Sequence, residues 1–252
     1  MTKFFALALL AGAMVSCSTE DTAPSVQNDK VAVQFTGGIS VNTRAAGLAW
    51  AEGDMIGIFM TGTKQPLSAD AIQEGVDNIC YQTSGSIGFS PVSGGKTVFF
   101  PIDGDVDFYS YYPQTTVNDY KVALDVTDQG KQEAIDFMYA KTEGCNKATP
   151  QVFLKFYHKL SNLVLDVQPG NGLTQEDLKK MTVTVKGQNT KATFNLADGT
   201  ISGEGNPTDI KMKTTQAGKL YEAILLPTEE ASRVIEFDLN NGYDAPFVWT
   251  MP

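Results

Sequence analysis

Apolar residues recur at every second position along this chain, and that period is the strongest constraint on what it can fold into. Val31, Val33 and Phe35 face one way, with Ala32 and Gln34 opposite. The same alternation runs through Val122, Leu124 and Val126, through Leu163, Leu165 and Val167, through Ala192, Phe194 and Leu196, and through Ile235, Phe237 and Leu239. Successive side chains of an extended strand point to opposite faces, so such runs predict half-buried strands. Turn signals separate them: Ser93-Gly94-Gly95, Asp103-Gly104, Pro169-Gly170-Asn171-Gly172 and Asn240-Asn241-Gly242. Asp198-Gly199, ahead of Thr200-Ile201, gives the clearest hairpin turn. Helical pattern is confined to Thr174–Lys180, with a cap-like threonine, acids in the first turn and lysines in the last, and to a turn or two in Ser68–Glu74. The fold class is therefore all-β with few short helices, built as sandwiches or a barrel.

The N-terminus sets the compartment. Lys3 precedes an apolar run, Phe4 to Val15, that is too short to span a bilayer, and Met14-Val15-Ser16-Cys17 follows. Residues 1–16 thus read as a secretory signal, and the cysteine resembles a bacterial lipobox in which the Cys17 thiol receives the lipid. Removing residues 1–16 takes away one lysine and leaves 18 basic against 29 acidic residues, a formal charge of 18 − 29 = −11. A chain this acidic is repelled by nucleic acid and by anionic headgroups. Cys80 and Cys145 are the other two cysteines. An oxidising compartment permits a disulfide between them without requiring one. The low-hydrophobicity stretch Gly144 to Pro150 reads as a linker, giving a tether and pro-segment over 17–44 with one strand, a first domain over 45–149 and a second over 150–252.

Chemistry-bearing clusters are sparse. His158 is the sole histidine and shares strand parity with Val152, Leu154 and Phe156, which aims it at the core as a satisfied imidazole and leaves no second histidine for a metal site. Asp103-Gly104-Asp105-Val106-Asp107 is superficially a calcium loop, but Phe108 stands where glycine is needed and Gln114 where a bidentate glutamate is needed. Gly203-Glu204-Gly205 runs into Asn206-Pro207 and not into a phosphate-cradling helix. No catalytic residues and no cofactor are expected, and the chain does not read as an enzyme. Phe108-Tyr109-Ser110-Tyr111-Tyr112 leaves two readings open. Tyr109 and Tyr111 share one face and form either an exposed sugar-stacking platform or part of a strand buried on both faces.

Four ordered blocks carry a family resemblance. Trp50-Ala51-Glu52-Gly53-Asp54-Met55-Ile56-Gly57-Ile58-Phe59 is similar to an early block of Bacteroidota fimbrillin-like proteins. Tyr109-Ser110-Tyr111-Tyr112-Pro113, Asp136-Phe137-Met138-Tyr139-Ala140 and Leu154-Lys155-Phe156-Tyr157-His158-Lys159-Leu160 resemble its later blocks in the same order. The resemblance implies two transthyretin-like β-sandwich domains in tandem. It also implies a stalk, tip or anchor subunit of fimbriae, held at the outer membrane through lipidated Cys17 on the cell surface or built into the fimbrium. Cleavage between Arg44 and Ala45 would release the early strand, and other fimbrial subunits would become partners by strand exchange. Four inward side chains refilling the vacated groove would contribute on the order of 6–12 kcal/mol before ordering costs. The alternative is a surface lipoprotein that binds a glycan or a protein of a host or bacterial surface on the same scaffold. The apolar alternation of Phe247, Trp249 and Met251 at the C-terminus implies pairing with a partner or a sequence that continues.

Overall fold

The computed structural model describes residues 30–40, 49–205, 207–227, 234–242 and 245–251. Seven strands close into a barrel in the spatial order β1 (Gln34–Ser40), β4 (Gly88–Pro91), β3 (Ile79–Ser84), β2 (Glu52–Gly62), β5 (Val106–Tyr112), β7 (Met138–Cys145) and β8 (Gln151–His158). Neighbours are antiparallel except where β1 meets β8, which run parallel over seven register pairs, Gln34 opposite Gln151 through Ser40 opposite Tyr157. Inward-facing Phe35, Ile56, Ile58, Met60, Phe108, Leu154 and Phe156 fill the interior. Trp50 anchors it. Its ring meets Phe89, Tyr112 and Phe156 edge-on at 5.1, 5.5 and 5.1 Å, and its indole N–H donates to the Gly37 carbonyl at 2.9 Å.

The remaining strands build three smaller sheets around a second core. β6 (Lys121–Asp125) leaves the barrel between β5 and β7 and pairs with β11 (Lys191–Asn195), which pairs in turn with β12 (Thr200–Glu204). β9 (Ser161–Asp166) pairs with β15 (Leu220–Leu225), which carries β14 (Lys213–Gln216) on its other edge. β13 (Thr208–Lys211), β10 (Thr182–Gln188), β16 (Val234–Asp238) and β17 (Phe247–Thr250) form the third sheet in that order. Val122, Leu124, Val183, Val185, Phe194, Tyr221 and Ile235 meet between them. The alternating runs in β6, β9, β11 and β16 therefore face a core as their period predicts.

The two cores share a wall. Along β2 and β5 alternate residues belong to different cores: Ile58, Phe108 and Tyr112 point into the barrel, while Phe59, Tyr109 and Tyr111 point into the second core. β5 is buried at all seven positions, because it has a core on each face. Gly53, at φ +93°, lies near the start of β2, where the register with β3 shifts.

One expectation needs correction, the short helix over Thr174–Lys180. The chain is all-β, and its first sheet closes into a barrel, one of the two architectures its strand pattern allows. β8 lies beyond residue 150 and completes the barrel, and β6 lies before it and helps build the second core. Thr174–Lys180 forms turns and no helix; the Asp177 carboxylate accepts from the Thr174 N–H and hydroxyl at 2.7 and 2.6 Å, a capping contact on a segment too short to propagate. Cys80 and Cys145 are free. They sit on β3 and β7, three strand steps apart, on the order of 14 Å and beyond disulfide reach. The Asp198-Gly199 hairpin forms as expected, with Gly199 at φ +74° and its N–H on the Asn195 carbonyl at 2.8 Å.

Candidate functional site

Three of the residues singled out in the sequence, Cys17, Arg44 and Ala45, lie outside the described residues. Tyr109 and Tyr111 are placed clearly: they are 1% and 0% exposed and form part of the second core. Tyr111 stacks at 6.1 Å on Phe137, and its hydroxyl lies 2.8 Å from Asn78 Oδ1 and 2.7 Å from the Thr115 carbonyl. Neither ring has a face open to a sugar, so the exposed platform gives way to the strand buried on both faces. The physical reason is the shared wall, which covers β5 twice.

The acidic turn after Pro101 has a structural role. Asp107 is 0% exposed, and its carboxylate accepts from the Thr63 hydroxyl at 3.0 Å and from the Lys64 and Gly144 N–H groups at 2.8 and 2.9 Å. Those bonds tie the ends of β2 and β7 to β5. No group of three or more metal-ligating side chains occurs among the described residues. His158 ends β8 with its Nδ1 2.8 Å from Asp136 Oδ1. That carboxylate holds the imidazole pKa above its ordinary value, against the opposing pull of burial.

The feature best suited to act on another chain is the seat of β1. Seven residue pairs join it to β8, but only Phe35–Phe89 and Thr36–Gly88 join it to β4. Phe35 and Val33 are buried in the barrel at 2% and 5% exposure, and Ile39 packs partly against the same core. Gly37 and Gly38 let rings close over both faces of the strand. A Cβ at 37 would meet Phe89 at 2.8 Å inside the barrel, and one at 38 would meet Phe153 at 2.7 Å outside it. The inward set is thus two large side chains, one partly buried isoleucine and a glycine, not four full side chains. The two fully buried residues are worth roughly 3–6 kcal/mol.

A second feature is an edge. Among the described residues β17 has β16 on one side and no further strand on the other, and Phe247, Val248 and Trp249 are 51%, 64% and 46% exposed. Sequence reasoning reached this apolar run but could not show that it pairs with β16.

Known proteins resemble the chain along most of its length. A fimbrillin-like family profile matches residues 43–252. A Bacteroides uniformis protein described as the fimbrium subunit Fim1C is 36% identical over 255 residues, covering 96% of this chain and 81% of its own. A crystal structure of a protein described as a cell adhesion protein, also from Bacteroides uniformis, superposes with a TM-score of 0.73 at 33% identity. That match covers 88% of this chain and 86% of the other. A Bacteroides ovatus protein of similar description shares the fold at a TM-score of 0.67 and 24% identity, over 88% and 87% of the two chains. Profile, relative and fold agree with the four ordered sequence blocks, and the chain belongs to the fimbrillin-like family.

Proposed function

We propose that this fimbrillin-like chain is a structural, non-catalytic subunit of a surface fimbrium, delivered to the outer membrane on lipidated Cys17 and joined to other subunits by exchange of a strand at the seat of β1. The observation that carries the reading is the unequal pairing of β1 with its two neighbours. It is the barrel strand that enters from the N-terminal side, it pairs in parallel with β8, and its grip on β4 is two residue pairs. Arg44 follows Ser40 closely in the sequence, so cleavage after it would detach β1 from everything that follows. The vacated seat would leave the β8 edge unpaired and the barrel interior open to a strand of matching pattern. The transthyretin-like description of the tandem units belongs to the same family expectation.

The test is the N-terminal residue of the protein recovered from cells. Processing to Ala45, lost together with fimbriae in an Arg44→Ala strain, is the expected result. Unchanged processing and unchanged fimbriae in that strain would overturn the proposal.

A further inference from the structure

The turn that precedes β6 leaves part of that strand's outer edge open. Asp119 and Tyr120, at φ +49° and +55°, form a two-residue turn whose flanks pair. The Asn118 N–H donates to the Lys121 carbonyl at 3.1 Å, and the Lys121 N–H to the Asn118 carbonyl at 2.9 Å. Beyond that pair the two arms part. A cleft of about 390 Å³ lies between β6 on one side and Pro113, Thr115, Ile135 and Phe137 on the other. That volume falls within the roughly 300–1,000 Å³ of sites that hold a bound group.

The backbone of β6 alternates in where it points. On the β11 side its bonds fall on even-numbered residues: the Val126 N–H donates to the Thr190 carbonyl at 2.8 Å, and the Leu196 N–H to the Tyr120 carbonyl at 2.9 Å. Between those two ends the register sets Leu124 opposite Ala192 and Val122 opposite Phe194. Lys121, Ala123 and Asp125 therefore turn their N–H and carbonyl groups toward the cleft. Lys121 is satisfied by Asn118. Among the described residues no backbone group pairs with Ala123 or Asp125 on that side. The side chains add an independent match. Val122 and Leu124 reach the cleft from the second core, to which Phe137 belongs and against which Ile135 packs. Asp125 is the one charged residue on the described lining, and Lys191 lies 3.6 Å from it. Open donors and acceptors at strand spacing, beside a neutral apolar floor, fit a backbone that carries apolar side chains at every second position. A sugar's hydroxyls or a charged headgroup would leave that floor bare.

We infer that the cleft takes one extended, uncharged segment of a partner polypeptide as an added strand on the outer edge of β6. The segment runs antiparallel, so that one of its residues exchanges both bonds with Ala123 while the apolar residues on either side of it settle over Val122 and Leu124. This goes beyond the exchange at the seat of β1: β6 and β1 belong to different sheets, and the cleft is open while β1 is seated.

The full chain, isotopically labelled for NMR, is titrated with the peptide Ac-Thr-Val-Thr-Val-Thr-amide. The expected result is a saturable shift of the Ala123 and Asp125 amide resonances, with slower hydrogen exchange at Ala123. N-methylation of the central threonine removes the donor to the Ala123 carbonyl and should weaken binding about tenfold. Replacing both valines by serine should weaken it by about tenfold or more. Ala123→Pro removes an N–H that makes no bond to β11, at an edge position where proline is tolerated, and should abolish binding. The two altered peptides decide the matter on the parent chain should that variant not fold. Shifts centred on another strand edge, equal affinity for the N-methylated or the serine peptide, undiminished binding by folded Ala123→Pro, or no saturation up to the peptide's solubility limit would overturn the inference.

Discussion

Gly57 and Tyr111 sit directly opposite each other in the β2–β5 pairing, and the tyrosine ring fills the space into which a side chain at 57 would grow. A Cβ there would lie 2.3 Å from the ring and 2.5 Å from Asn78 Oδ1, which itself accepts from the Tyr111 hydroxyl. The ring cannot retreat, because Phe59 and Phe137 stack beside it at 6.3 and 6.1 Å. Gly57→Ala is therefore expected to destabilise by roughly 1–3 kcal/mol through overpacking alone. A urea midpoint that falls with an unchanged slope checks this.

Asp107 holds three donors from two separate segments, Thr63-Lys64 and Gly144, with one buried carboxylate. Asp107→Ala leaves the Lys64 and Gly144 N–H groups without an acceptor, and a loss of roughly 2–4 kcal/mol is expected. Calcium should not shift the unfolding midpoint of the parent chain, because the carboxylate is buried and already engaged by those donors. A calorimetric heat saturating at one equivalent of calcium would contradict that assignment.

The His158–Asp136 pair makes stability depend on pH in a defined direction. Asp136 raises the imidazole pKa in the folded chain above the ordinary 6.5, so the folded state holds the proton more tightly than the unfolded state does. The stabilisation is complete below about 6.5 and is lost as pH rises through the folded pKa. Asp136→Asn should flatten that part of the stability profile and return the imidazole titration, followed by NMR, toward its ordinary value.

Cys145 should react slowly in the native state. Burial, with Asp107 and Asp105 nearby, pushes its thiol pKa up to about 11, and burial raises that of Cys80 as well. Little thiolate exists at pH 8, so iodoacetamide should label both cysteines far faster in denaturant than in buffer. Mass under non-reducing conditions should show both thiols free, in keeping with their separation across the barrel.

What could be read from the sequence was which way each side chain faces, and little about which strand lies next to which. Val122 and Leu124 declare a buried face by their period, and so do Ala192 and Phe194; nothing local says that these two strands pair. The parallel β1–β8 contact closes the barrel across more than a hundred residues and has no turn signal to announce it. Gly144 and Cys145 end β7, and the rest of the stretch to Pro150 is a loop into β8; a polar stretch between two neighbouring barrel strands looks the same in sequence as one between domains. Tyr109 and Tyr111 were ambiguous for a related reason: a strand covered on both sides carries aromatics on both sides whichever face is open. His158 was legible as a satisfied imidazole. Its partner Asp136 was not, and neither was the cleft beside β6, which assembles Pro113, Leu124 and Phe137 from three separate segments.

β6 cannot be matched until β11 exists, and those strands stand 66 residues apart (191 − 125). At ribosomal rates of roughly 5–20 residues per second that wait lasts seconds. The second core therefore cannot close until β11 has been made, and the faces of β2 and β5 that carry Phe59, Tyr109 and Tyr111 stay bare until then. A segment ending at 149 would lack β8 for its barrel, and one starting at 150 would lack β6 for its second core.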